Sequence, residues 1–321
     1  MEHLYCGDMY QMCHRNVIGL YFLITILLTG MSGLCFAGEF VHPFIPREGR
    51  LLIIGQQKDA IDGYIKDTGI VPGGFMVYTS IQEMEGLDSP ADHGAGINHA
   101  QYYVEKYQNA VIQLGLYMVG SLDGVIVGDY DDNIIKLAQW MKRADRPIYL
   151  RIGYEFDLPD NSYDPQKYCQ AYRYVVGHLR AQGVDKVVYV WHSASMIELR
   201  GNPLDWYPGD DYVDWFAVSI FNATQIKTAK EFSVLAHEHH KPLMIAESSS
   251  IGLFSVSGKK EWFRHYFDFI NENDVKVVCY INSDWDSYPL FQSMRWGDAR
   301  IQKDPEIKEM WFNEGKKSIC H

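Results

Sequence analysis

The chain has 321 residues, 47% of them hydrophobic, 22% charged and 14% aromatic, with a formal net charge of -12. That apolar share excludes a disordered chain, and 27 Gly and 12 Pro are too few for a low-complexity one. An acidic balance without Lys/Arg runs offers no footprint for a phosphate backbone, so nucleic acid is not expected as a partner.

Residues 1–37 read as a signal peptide. His14 and Arg15 precede the apolar run Val17 to Thr29, and small and apolar residues follow as far as Ala37, the expected cleavage point. The remainder, 38–321, is then a secreted or periplasmic domain. A membrane enters only through an uncleaved leader, since Val17 to Phe36 is about long enough to span a bilayer. Cys169, Cys279 and Cys320 lie beyond the leader, with no metal-site or disulfide spacing.

Eight strand-like runs follow in order: Leu51 to Gly55, Phe75 to Thr79, Ala110 to Tyr117, Ile148 to Gly153, Lys186 to Trp191, Trp215 to Ile220, Leu243 to Ala246 and Lys276 to Ile281. Most are continuously apolar, as strands buried on both faces require. Helical stretches lie between them, among them Asn133 to Arg143, Pro165 to Gln182, Lys227 to His240 and Lys259 to Asn273. This alternation predicts an α/β fold, a single (β/α)8 TIM barrel. A doubly wound open sheet is the alternative, but Gly55-Gln56-Gln57-Lys58 is not the G-x-G-x-x-G phosphate turn, so no nucleotide is expected. The run His237-Glu238-His239-His240 reads as a solvated helix end, because adjacent residues do not share a helix face. Neither a metal nor an organic cofactor is expected.

Barrel chemistry sits at the C-terminal strand ends. The fourth strand ends Arg151-Ile152-Gly153-Tyr154-Glu155, and the seventh ends Met244-Ile245-Ala246-Glu247. Alternation places Arg151, Gly153 and Glu155 on one face, and Leu243, Ile245 and Glu247 on one face likewise. The two glutamates are about three βα units of roughly 30 residues apart, which brings them to one mouth. Glycoside hydrolysis needs such a pair, one carboxyl to protonate the leaving oxygen and one to attack or to activate water. Glu247, near cations, suits the nucleophile; Glu155, buried beside a negative neighbour, suits the acid. Trp191 and His192 end the fifth strand, Asn222 the sixth, and Trp285 follows the eighth. Aromatic faces suit the apolar faces of sugar rings. His93 and His99 fall in a loop read as solvated. The sequon Asn222-Ala223-Thr224 is read as unused, because a glycan there would obstruct the cleft.

Arg151-Ile152-Gly153-Tyr154-Glu155 resembles the R-P-x-H-E motif of glycoside hydrolase family 26, of the retaining clan A barrels. The resemblance extends more loosely to Leu52 to Gln57, Pro208 to Asp214 and Lys241 to Glu247. It implies Glu155 as acid/base and Glu247 as nucleophile, acting with retention on a β-linked mannan, xylan or glucan. Two positions depart from the pattern: Tyr154 stands where that family has His, and Phe221 where a Tyr usually hydrogen-bonds the nucleophile. The expected site is therefore Glu155 and Glu247 for catalysis, with Arg151, Tyr154, Trp191, His192, Asn222 and Trp285 for binding a polysaccharide or oligosaccharide. The departures keep two alternatives open. One is a catalytically silent sugar-binding barrel. The other is polysaccharide elimination, with Tyr154 or His192 as base and Arg151 neutralising a uronate.

Overall fold

A computed structural model of the chain describes residues 40–41, 43–196 and 201–318. The leader read at 1–37 and Cys320 lie outside these residues. Eight parallel strands close into a barrel: β1 (Leu51–Gly55), β2 (Gly74–Ser80), β3 (Val111–Tyr117), β4 (Ile148–Ile152), β5 (Val187–Ser193), β6 (Trp215–Ile220), β7 (Leu243–Ser248) and β8 (Val277–Ile281). Each pairs with its neighbours in sequence, and β8 completes the ring by pairing with β1 from Val277↔Leu51 to Ile281↔Gly55. The chain is a (β/α)8 barrel, and the open sheet is excluded.

The strands are mostly apolar because each serves two cores. Ile53, Met76, Val188, Val190, Ala217 and Met244 fill the barrel interior. Their neighbours Ile54, Phe75, Tyr189, Trp191, Phe216 and Ile245 belong to the layer between strands and helices. A period of two sends alternate residues to opposite faces, so both faces are predominantly apolar. At the N-terminal end of the barrel the Trp215 indole donates to the Pro43 carbonyl at 2.7 Å, and Phe44 and Ile45 pack on the interior cluster as its floor.

The helices dock by apolar stripes. In Pro165–Ala181, Asp164 accepts from the Lys167 N–H at 2.9 Å, Pro165 opens the first turn, and Tyr168, Tyr172, Val175, Val176 and Leu179 are buried. The helices Ala223–Glu238 and Val256–Glu272 start earlier than their apolar patterns suggest. Side-chain caps from Asn222 and Ser255 set those starts, satisfying amide groups that hydrophobic periodicity does not register.

Candidate active site

A cleft of about 740 Å³ opens at the C-terminal end of the barrel, and Glu155, Glu247, Tyr78, Tyr154, Phe221 and Trp285 line it. Two local irregularities deliver the carboxylates. Strict alternation along β7 would send Glu247 outward with Leu243 and Ile245, both of which lie in the outer layer. The β6–β7 register shifts between Val218 and Ser219, so that Val218 faces Ile245 while Ser219 faces Glu247. The shift turns Glu247 into the cleft, and the shared face read from the sequence is corrected accordingly. On the other side β4 stops at Ile152, and Gly153 and Glu155 both have φ of +54°. Glu155 is therefore presented by a left-handed turn rather than by an extended strand. Gly153 is needed there, since a Cβ would stand 2.9 Å from Cε2 of Tyr168.

Arg151 lies beneath both carboxylates, fully buried. Its Nη1 donates to Oε1 of Glu247 and also meets Nδ1 of His192 at 3.3 Å. Its guanidinium sits 5.0 Å from the ring centres of both Tyr78 and Tyr154, whose own centres are 5.4 Å apart. Burial works against the Arg151 charge, and the Glu247 carboxylate more than offsets it, so its pKa is raised. Gly115 on β3 makes the space, because a Cβ would come within 2.6 Å of Tyr78 Cδ1 and 2.9 Å of Arg151 Nη2.

The chain of contacts continues to the second carboxylate. His192 Nε2 lies 3.0 Å from Ser219 Oγ, and Ser219 Oγ donates to Glu155 Oε1 at 2.6 Å. Arginine only donates, so His192 Nδ1 must accept, which places the imidazole proton on Nε2 and makes it the donor to Ser219. Burial, and then the nearby Arg151 charge, hold the His192 pKa well below the usual histidine value, consistent with that neutral tautomer. Burial first, and the Glu247 charge second, push the Glu155 carboxyl up to about 8. One network thus holds a paired carboxylate at one end and a carboxylic acid at the other.

Glu247 Oε1 also accepts from the Tyr78 hydroxyl at 2.9 Å. Phe221, just beyond β6, has no hydroxyl to offer, and β2 supplies the phenol instead. Asp157 fixes the turn that carries Glu155, accepting from Ser193 Oγ at 2.8 Å and the Met196 N–H at 2.9 Å. Burial raises its pKa against those donors.

The remaining expected residues separate. Trp285 is 2% exposed, lines the cleft, and donates its indole N–H to Ser249 Oγ at 2.9 Å. Trp191 does not reach the cleft: it is 0% exposed, stacked 4.6 Å from Phe156 and packed on Phe216 and Phe232. Strand β5 runs on to Ser193, so alternation turns Trp191 outward and His192 inward. His192 acts beneath the cleft rather than within it. Asn222 is exposed, lies outside the cleft lining, and caps the helix Ala223–Glu238 by accepting from the Gln225 N–H at 3.1 Å. His93 does line the cleft, beside Glu85 at 3.3 Å, whereas His99 faces the Asp88 carbonyl. Tyr78 and Ser219 were not foreseen; their only sequence signal is a hydroxyl in a mostly apolar strand.

Residues 114–290 match glycosyl hydrolase family 26. The chain belongs to that family. It is similar to a β-1,3-xylanase from Alcaligenes sp, 33% identical over 312 residues that cover 86% of this chain and 66% of that protein. A β-1,3-xylanase from Vibrio sp is likewise 33% identical, over 83% of this chain and 65% of its own length. The chain thus spans about two thirds of both relatives. In fold it resembles a family 26 β-mannanase from Bacteroides ovatus, with a TM-score of 0.61 at 15% identity, covering 85% of this chain and 89% of that one.

Proposed function

We propose that this family 26 chain is a secreted retaining glycoside hydrolase that cleaves a β-linked polysaccharide by double displacement, with β-1,3-xylan as its substrate. The observation that carries the reading is the pair of opposed settings on one network: Glu247 paired with Arg151 and Tyr78, and Glu155 pushed up to about 8. The leader read at 1–37 supports export, and the names of the two 33% identical relatives support the choice of xylan.

Both donors to Glu247 address Oε1, which leaves Oε2 to attack the anomeric carbon. Ser219 likewise addresses Oε1 of Glu155, so Oε2 carries the acidic proton to the departing glycosidic oxygen. Attack forms an ester on Glu247 and breaks the glycosidic bond, with the aglycone leaving as an alcohol. Esterification removes the charge that helped raise the Glu155 pKa, so Glu155, now ionised, is a stable base. It takes a proton from water as the oxygen displaces Glu247, and two inversions leave the anomeric configuration retained.

The test is reducing-sugar release by the wild type, Glu155→Gln and Glu247→Gln on β-1,3-xylan, β-1,4-xylan, mannan, mixed-linkage glucan and a uronate polymer. Release from β-1,3-xylan that falls by orders of magnitude in both variants is the expected result. Activity surviving both substitutions contradicts the site. Absorbance from a new double bond would mark elimination, and binding without turnover would mark a silent barrel.

A further inference from the structure

The aromatic lining of the cleft does not end inside it. Trp285 meets Trp296 at 5.1 Å and Phe291 at 4.7 Å, edge to face, and Phe291 and Trp296 stack at 5.1 Å. Trp285 and Trp296 both line the cleft, one almost wholly buried and the other half-buried. Phe254, on the loop after β7, is 71% exposed. It rests on Gly297, where a Cβ would stand 3.0 Å from its Cε1.

Two backbone hydrogen bonds fix that position. The Gly252 N–H donates to the Trp296 carbonyl at 2.8 Å, tying the β7 loop to the β8 loop, and the Trp285 N–H donates to the Gly297 carbonyl at 3.1 Å. Phe254 is therefore seated on the peptide that holds Trp285. Leu290 and Met294, on the same β8 loop, are also about half exposed. A single exposed apolar side chain needs no explanation, but one seated on the residue that follows a cleft-lining tryptophan, with exposed apolar residues on the loop beside it, marks a ligand surface.

We propose that Phe254 is the platform of an outer subsite, which stacks a neutral pyranose of the substrate chain beyond the sugars held at the reaction centre. This inference rests on the reading of the cleft as a glycan site. The occupant follows from the seat of Phe254 on Gly297, next in sequence to the cleft-lining Trp296, and from chemistry. An aromatic face suits the C–H face of a sugar ring, while a net charge of -12 disfavours a polyanionic ligand.

The test is calorimetric binding of β-1,3-linked xylo-oligosaccharides, from the disaccharide to the hexasaccharide, to Glu247→Gln and to the same protein carrying Phe254→Ala or Phe254→Trp. Phe254→Ala is expected to weaken the longest ligands about three- to tenfold, the range of one stacking contact, and to leave the disaccharide at its parent affinity. Phe254→Trp is expected to keep the long-chain affinity. Equal loss at every length, or no loss at any, overturns the subsite. A parent that binds none of the ladder overturns the glycan reading as well, whereas a parent that binds while Phe254→Ala changes nothing overturns the subsite alone.

Discussion

Tyr78 donates its hydroxyl to Glu247 Oε1 at 2.9 Å, from the strand directly across the barrel from the one that ends before Phe221. The phenol also lies 3.0 Å from Gln56 Oε1. It has one proton to give, and the charged oxygen is the stronger acceptor. A hydrogen bond to a charged group contributes about 1.5–3 kcal/mol. Tyr78→Phe is therefore expected to lower kcat/KM on the order of ten- to a hundredfold, measured on xylo-oligosaccharides. An unchanged kcat/KM would show that Arg151 alone suffices for Glu247.

Ser219 touches Glu155 but has no place in the cleft wall, so it acts as a positioning residue. Its hydroxyl favours the carboxylate form, so Ser219→Ala should move the alkaline limb of the pH–rate profile upward. It should also slow substrates with poor leaving groups, by about tenfold, and spare aryl glycosides that depart without a proton. Ser219→Thr keeps the hydroxyl and should restore both. A uniform loss on all leaving groups would point to a merely structural role.

Glu155 also carries a stability signature. Its carboxyl is raised from 4.5 to about 8, so folding favours the neutral form. The benefit is complete below the unfolded value and is lost as pH rises through the folded one. Glu155→Gln, which never ionises, should therefore match the wild type below about pH 4.5 and melt increasingly above it as the pH rises from there to about 8. Thermal melts across that window check the sign, and parallel curves would remove the buried acid.

Trp191 is a core residue, despite closing an apolar run much as a cleft residue would. Removing a buried aromatic typically costs about 3–5 kcal/mol. Trp191→Ala should unfold at markedly lower denaturant concentration, while the folded fraction keeps its KM. A raised KM with an unchanged melt would return the indole to the sugar.

The barrel was legible because strands buried on both faces cannot hide their composition, and the two glutamates stood out as charges ending such strands. Their delivery was not legible. The β6–β7 shift that turns Glu247 inward is a property of two strands together, and the positive φ of Glu155 leaves no mark beyond Gly153 two residues before it. Trp191 and Trp285 look alike in sequence, and only the extension of β5 to Ser193 separates a core indole from a cleft indole. Tyr78 and Ser219 were hidden for the same reason: a hydroxyl inside an apolar strand acquires its meaning from residues far away in the chain.

The assignment of Glu247 as nucleophile is tested most directly by trapping the glycosyl ester. A 2-deoxy-2-fluoro xylobioside with a good leaving group slows the second displacement more than the first, so the ester accumulates. Mass spectrometry of the digested protein should find one glycosyl unit on the peptide that carries Glu247, and none in Glu247→Gln. An adduct on Glu155, or turnover with inverted product and no adduct, would contradict double displacement at this site.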